Sequence, residues 1–532
     1  MAIFTSAFNA TGIYNSPRRL FGNYDPLLFP GIWVPTDGLV DPGSYHVYLG
    51  TGLSYDEGTN TASGTVTTVT YDQEGVVSGV TWSITGLSYD LADIELLLED
   101  AVPLPLADHP TSNTFIFGSP ADESTVGIYR VGHTDLIAAD TANDTADYSA
   151  HTQALTISLD QTAGVAEGPS AGTDSLFGIE HAIGGSAADT MFGDALDNLL
   201  AGSQGNDTIR GADGADTIDG GADNDLIYGG PGADDIDGGG GIDTLDFSTD
   251  NADGGIAGAY VDLANDFAQD GFGDYDMIAG IERVIGTVED RVIGALSDVL
   301  LGDENANSFS GLAGLDYIVG DGGNDTIDTG AGMAGTVGDI AVAGAGDDSV
   351  LGGSGATFVY GQDGSDDIFG GAGDDWLFGG DFFGVVSGVD LLVGEGGNDV
   401  LAVGSATGSA YMYGGAGDDI IYGGSTTPEA DVLVGGTGDD FMYGGFGGAD
   451  DYWFVTGDLA AGDFDQIYGF DSNDELIFSS SYSGQITAQQ LTLNDVSGSY
   501  LSHASGWALW MPYTNVNTVL SQTVFSNGSP PV

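Results

Sequence analysis

The chain has no cysteine and no lysine. Without thiols there is no disulfide and no thiolate metal site. Without lysine there is no phosphate-binding loop of the usual kind and no Schiff-base chemistry. The six basic residues are all arginines (Arg18, Arg19, Arg130, Arg210, Arg283 and Arg291) against 81 acidic residues, and the formal charge is -75. That balance excludes nucleic acid as a default partner and argues against an anionic membrane surface. No apolar run approaches the length of a transmembrane helix. The N-terminal stretch lacks a basic region ahead of an apolar core, so it does not read as a cleavable export signal.

Catalytic motifs are equally sparse. The six histidines, His46, His109, His133, His151, His181 and His503, show no metal-pair spacing, and no HExxH occurs. One G-x-S-x-G spans 168–172, with Ser170 central, but a nucleophile elbow needs a strand before it and a helix after it. Here AGVAE precedes, TDSLFG follows, and Pro169 stiffens the turn. Paired-carboxylate hydrolysis is not decided by motif, because acids are everywhere.

What the chain has is glycine, 91 of 532 residues, and aspartate. Halophilic solvation or an acidic disordered chain would enrich both acids. Instead Asp outnumbers Glu roughly five to one, and many of the aspartates fall at one phase of a repeat. From 184 to 246 the sequence reads as seven uninterrupted nonapeptides: GGSAADTMF, GDALDNLLA, GSQGNDTIR, GADGADTID, GGADNDLIY, GGPGADDID, GGGGIDTLD. Six carry Asp at the sixth position, Asn198 being the exception. All seven carry a large apolar residue at the eighth: Met191, Leu200, Ile209, Ile218, Ile227, Ile236 and Leu245.

Each repeat divides into a Gly-rich turn, where positive φ costs little, and a three-residue strand with one apolar side chain on one face. Two repeats then make one flat coil. Stacked coils lie about 4.8 Å apart, which aligns the apolar residues into an internal ladder and the aspartates into columns. Carboxylates that close repel by roughly 1 kcal/mol in water and by several at a partly buried edge. Oxygen-seeking divalent cations relieve this, and Gly–Asp turns offer both carboxylates and carbonyls.

The run is similar to the calcium-binding nonapeptide of RTX proteins, G-G-x-G-x-D-x-U-x. That resemblance implies an all-β chain of right-handed parallel β-roll blocks, with several Ca2+ ions between successive loops on the same side. Carried onto this sequence, it implies Asp189, Asp207, Asp216, Asp225, Asp234, Asp243, Asp298, Asp316, Asp325, Asp348, Asp366, Asp375, Asp390, Asp399, Asp419, Asp431, Asp440 and Asp451 as ligands. The backbone carbonyls of Gly205, Gly214, Gly232 and Gly373 join them. The degenerate units at 352–360 and 405–413 lack the aspartate; they are expected to hold the stack but to bind calcium poorly.

Around the repeats the chain divides as follows. Residues 1–110, aromatic-rich and without nonapeptides, read as a small β-rich domain, with strands at 64–72 and 77–90, a short helix at 91–101, and TGLSYD at both 51–56 and 85–90. This stretch is similar to an N-terminal module of secreted RTX proteins. A β lead-in covers 111–183, the first roll 184–246, and a second lead-in 247–292, whose DFS and GIERVIG segments echo DYS and GIEHAIG of the first. The lead-ins are expected to cap the stack. Further roll blocks run through 293–454, with loops expected at 381–386 and 425–429. The last part, 455–532, reads as a closing β cap with a D-x-I-x-x-F segment (Asp465, Ile467, Phe470). Its final 54 residues hold one acid, Asp495, which fits a C-terminal secretion signal.

The resemblance implies export by type I secretion machinery and folding on meeting extracellular calcium. A structural role, at the cell surface or in a matrix, follows from the repeat-dominated length. Its partners are then a cell-surface glycan or further copies of the chain, and the chain is no enzyme. The alternative is an extracellular hydrolase or glycan-active enzyme with an RTX tail, its chemistry in 1–170.

Overall fold

The computed structural model describes 145–530 apart from short segments at 160–163, 169–171, 289–297, 333–337, 381–387, 405–408, 425–429, 446–447, 484–485, 494–495 and 527–528; before 145 it describes only strands. The chain divides into two compact units, 1–223 and 224–532. Both are built almost wholly of strands.

In the first unit, Thr61–Gln73 forms an antiparallel sheet with Ser44–Asp56 on one side and Trp82–Asp90 on the other. The two TGLSYD copies lie in those flanking strands, on opposite sides of the same central strand. The helix expected at 91–101 is not formed where it is described. Ile94–Leu98 is a strand, parallel to Asn113–Phe117. Its apolar run is too short for periodicity to separate helix from strand, and pairing decides. Asn113–Phe117 then pairs parallel with Leu136–Ala138, so parallel stacking precedes the first nonapeptide.

Within the nonapeptides, Thr190–Phe192 pairs parallel with Thr208–Arg210, and Leu199–Ala201 with Thr217–Asp219. Each partner is 18 residues on. Two nonapeptides therefore make one coil, with alternate strands on two opposed sheets. The eighth-position residues, from Met191 to Leu245, are all at most 1% exposed. At about 25 cal/mol per Å2 of apolar surface, burial of these residues is the main force holding coil to coil within each unit.

The second unit repeats the arrangement from Leu226 onward. Spacing between partners lengthens wherever extra residues enter: 23 from Thr326 to Ser349, 24 from Trp376 to Val400, 21 from Ile420 to Phe441. The phase survives every insertion. Leu377, Leu401, Ile421 and Met442 all stay fully buried. The inserted segments themselves (381–387 and 425–429) lie outside the described residues.

The echo between the lead-ins is structural. Thr156–Ser158, Gly164–Gly168 and Gly172–Phe177 form an antiparallel meander. Tyr260–Asp262, Phe267–Gln269 and Tyr275–Ala279 form another. Neither covers an open end, contrary to the expectation. The first strand of each pairs parallel with a following coil strand, Thr190–Phe192 or Val299–Leu301. The last strand pairs parallel with an earlier one, Leu136–Ala138 or Asp235–Gly240. Three strands running up, down and up leave in the direction they entered, so the parallel ladder resumes.

The C-terminal end does close. Phe464–Tyr468 pairs with Ala508–Pro512, and Glu475–Ser479 with Thr523–Ser526. An antiparallel hairpin, Ile486–Leu493 with Val496–His503, packs beside them. Trp507, Leu509, Met511 and Phe478 fill its interior. The near absence of charge in this stretch thus has a packing reason.

Candidate calcium site

The turn chemistry begins at the second repeat position, which is left-handed. Gly221, Gly371 and Gly436 have φ near 106°, and non-glycines are left-handed there too: Leu312 has φ 64° and Gln362 φ 77°. Glycine at the first position has a different cause. At Gly414 a Cβ would meet the carboxylate of Asp419, five residues on, and the carbonyl of Gly435 one coil away. Gly202, Gly320, Gly361 and Gly394 face the same pair of groups. Each sixth-position carboxylate folds back over its own turn and fills the space a side chain would need. Gly414→Ala is expected to cost about 1–3 kcal/mol by overpacking; an unchanged urea midpoint with calcium present would refute that steric account.

The aspartates form two columns. In one, the Asp325 N–H donates to Asp348 Oδ1 (2.7 Å), Asp348 to Asp366 (3.1 Å), Asp366 to Asp390 (3.2 Å), and Asp431 to Asp450 (3.1 Å). In the other, Asp298 donates to Asp316, Asp316 to Asp339, Asp375 to Asp399, Asp399 to Asp419, Asp419 to Asp440 and Asp440 to Asp465, all between 2.8 and 3.0 Å. In the first unit the Asp189 N–H donates to Asp207 Oδ1 and that of Asn198 to Asp216 Oδ1. Asp225 and Asp234 are buried, and their N–H groups donate to Asp243 and Asp276. One carboxylate oxygen of each link thus ties its coil to the one before.

The second oxygen is the informative one. Oδ2 of Asp243, Asp316, Asp325, Asp348, Asp366, Asp399, Asp419 and Asp440 is buried with no hydrogen-bond partner. A buried carboxylate oxygen without a donor is costly. The pKa values respond. Burial, reinforced by neighbouring carboxylates, raises Asp316 and Asp366 to about 8 and Asp325, Asp419 and Asp440 to about 7, although backbone hydrogen bonds pull the other way. Asn198 shows what the position lacks. Its Nδ2 donates to the carbonyl of Glu180 one coil back (2.9 Å), so an amide brings its own positive end where a carboxylate cannot. Orphaned anionic oxygens beside turn carbonyls fit a hard, oxygen-seeking cation. Among the described residues no three Asp, Glu or His side chains converge on one point, so such a cation draws on backbone carbonyls as well.

Some expected ligands fit less well. Asp189 has both oxygens engaged, by the N–H groups of Leu155 and Gly185. Asp298 is held by Ala259 and Thr287, and Asp431 by Ala410 and Gly424. Asp451 is a correction. It lies in the strand Asp451–Phe454, and Asp450 takes the column place. The unit there is irregular, so counting by nines slips by one. Gly205, Gly214 and Gly232 adopt φ of 109°, 131° and 154°, and Gly373 packs on the Gly355 backbone one coil below.

The sequence reading missed Asp276, Asp339, Asp465 and Asp474 as column members, because insertions and meanders displace them from the period. It also missed a second, exposed column at the fifth position. The N–H of Ser365 donates to Asp347, Asn398 to Asp374, Asp418 to Asn398 and Asp439 to Asp418, at 2.8–3.0 Å. These side chains reach forward along the stack, whereas the sixth-position ones reach back. The recurrent ND and DD pairs were the available signal.

The other motifs have structural places. Gly168 and Gly172 are paired partners in antiparallel strands, so a strand and not the helix of a nucleophile elbow follows the motif; Ser170 lies outside the described residues. His151 is buried against Tyr148, His181 Nδ1 accepts the Leu199 N–H, and His503 stacks on Trp507. His46, His109 and His133 lie where no side chain is described. In the closing motif Asp465 ends a column while Ile467 and Phe470 are buried.

Stacked two-repeat coils with an aspartate column along each edge define a calcium-binding parallel β-roll. The family model for the RTX calcium-binding nonapeptide repeat matches at 183–218, 210–245, 298–332, 334–366, 360–381, 386–406, 407–426 and 425–448. The chain carries RTX calcium-binding repeats through most of its solenoid, and its cofactor is Ca2+ in several copies. No curated protein matches the chain. Among solved structures, the extracellular lipase LipA from Serratia marcescens is similar over 66% of this chain and 44% of that chain, at 16% identity and a TM-score of 0.16. This chain thus spans less than half of that protein's length.

Proposed function

We propose that this is a secreted structural protein, displayed at a surface or in a matrix, with no catalytic step of its own. Its solenoid closes on meeting extracellular calcium. The observation that carries this is the set of buried, partnerless Oδ2 atoms repeated along both edges of the roll. So regular an array serves the length of the roll, not one reaction centre. The sixth-position aspartates hold the coils in register through Oδ1 and present Oδ2 to the turn. Calcium, when bound, supplies the positive charge and oxygen coordination that this array lacks. Export through a type I channel fits the same chemistry, since the charged columns keep the calcium-poor chain loose enough to thread.

Asp399→Asn combined with Asp419→Asn tests the ligand assignment. Asparagine already stands in the columns at Asn198 and Asn307, so the fold tolerates it. The double variant is expected to bind fewer ions by equilibrium dialysis, and to need several-fold more calcium for half-maximal folding. Unchanged stoichiometry would remove these two residues from the site.

A further inference from the structure

One sheet of the second unit carries an outer face unlike the rest of the molecule. Nine parallel strands in sequence along this sheet, from Val299–Leu301 to Phe464–Tyr468, each direct their first and third residues of the paired triplet outward. None of those eighteen outward residues is charged, in a chain of formal charge -75. The opposite sheet shows no such exclusion, with Asp328, Asp367, Asp451 and Glu475 at its corresponding positions. Nor do the first unit's nonapeptides, where Arg210 and Asp219 stand.

The uncharged face is aromatic in two places. Phe358 and Trp376 lie 5.6 Å apart, centroid to centroid, beside other rings of the same two strands. Farther along, Tyr422 contacts Phe441 at 6.0 Å and Tyr443 at 6.4 Å, and Phe441 stacks on Tyr468 at 4.8 Å. Val400 and Ala402, both small, separate the two groups. Trp376 is 45% and Tyr422 40% exposed. Phe378 of the first group is buried, but packing into the core does not explain Trp376 or Tyr422, because the core residue of each strand is the neighbouring Leu377 or Ile421.

We propose that this strip binds an extended, uncharged polysaccharide. Its dimensions argue for a narrow polymer. Nine strands at about 4.8 Å span about 40 Å, and the outward side chains cover about 10 Å across. The resulting area, about 400 Å2, is half of what each partner of a stable protein interface contributes, yet it is as large as functional patches usually are. Its chemistry argues for sugar. Pyranose rings have apolar C–H faces that lie flat on aromatic rings, while Tyr hydroxyls and the Trp N–H offer hydrogen bonds at the rim. Its electrostatics argue for a neutral chain. Acidic turns flank the strip, so a phosphate-, sulfate- or uronate-bearing polymer is repelled. The strip requires a folded roll but not the structural role proposed above.

The test uses the full, calcium-loaded chain, with calcium-dependent circular dichroism confirming the fold first. Retention is measured on cellulose, chitin and starch, with alginate and heparin as anionic controls. The wild type is expected to be retained by at least one neutral polymer and by neither anionic one. Trp376→Ala with Tyr422→Ala is expected to weaken retention at least about tenfold, whereas Trp376→Tyr, which keeps a stacking face, retains most of it. Failure to bind any neutral polymer overturns the proposal. So does binding that is indifferent to the double variant, or a wild-type dimer in sedimentation that the double variant abolishes, which would assign the face to a second copy of the chain.

Discussion

Removing calcium at pH 7.5 is expected to abolish most of the β circular dichroism and to expand the hydrodynamic radius. The repeats leave little else to hold the edges together. Successive column carboxylates lie one coil apart, about 4.8 Å, and at an effective dielectric near 20 each neighbouring pair repels by about 3 kcal/mol. The columns run through most of the solenoid, so this strain recurs at coil after coil. No disulfide offsets it, since there is no cysteine, and six arginines cannot neutralise 81 acids. On the function proposed above, calcium binds the stacked state and not the open chain, so its binding free energy becomes folding free energy. Addition of calcium in excess of the chelator is expected to restore both signals. A spectrum unchanged in excess chelator would show that the apolar ladder suffices alone.

Acid is expected to substitute for calcium in part. The folded pKa values of Asp316, Asp366, Asp419 and Asp440 lie at about 7 to 8, against 3.8 for a free aspartate. The cause is burial first, with neighbouring carboxylates adding to it. A carboxyl whose folded pKa is raised binds protons more tightly in the fold than in the open chain. Stability is therefore greatest below about pH 4 and is lost as pH rises towards 7–8. For one such group the change is at most about 6 kcal/mol. Column members titrate together, so the total falls well short of a sum over sites. The calcium-free chain is expected to gain β signal and compactness on moving from pH 7.5 to pH 5, still above its pI of 4.1. The calcium-loaded chain is expected to show the opposite trend, because protons compete with the ion for the same oxygens. A calcium-free chain equally open at both values would mean that carboxylate charge does not govern closure.

The contrast between columns and strip shows how the repeat was used. In the first unit the outward strand positions are mostly threonine, aspartate and alanine, as in Thr208, Thr217 and Asp219. In the second, the same positions on one sheet become Trp376, Tyr422 and Phe441. The turn half of the repeat is kept for the cation, and the strand half varies with what faces solvent.

Much of this was legible in the sequence. The period of nine, the apolar eighth position and the aspartate at the sixth dictated a coil of two repeats, a buried ladder from Met191 to Leu245 and carboxylates stacked along the edges. They did so because in-register stacking converts sequence period directly into spatial columns. What depended on pairing was not legible. Only the tertiary structure decided that Ile94–Leu98 is a strand, because five residues are too few to show a period of their own. Only it showed that the lead-ins are meanders spliced into the ladder, and that Asp276, Asp339, Asp465 and Asp474 rejoin the columns after insertions, while Asp450 displaces Asp451. The unpartnered Oδ2 atoms and the uncharged aromatic face belong to the same class. Each arises between residues 18 or more positions apart, and such neighbours are set by how one coil lies on the next.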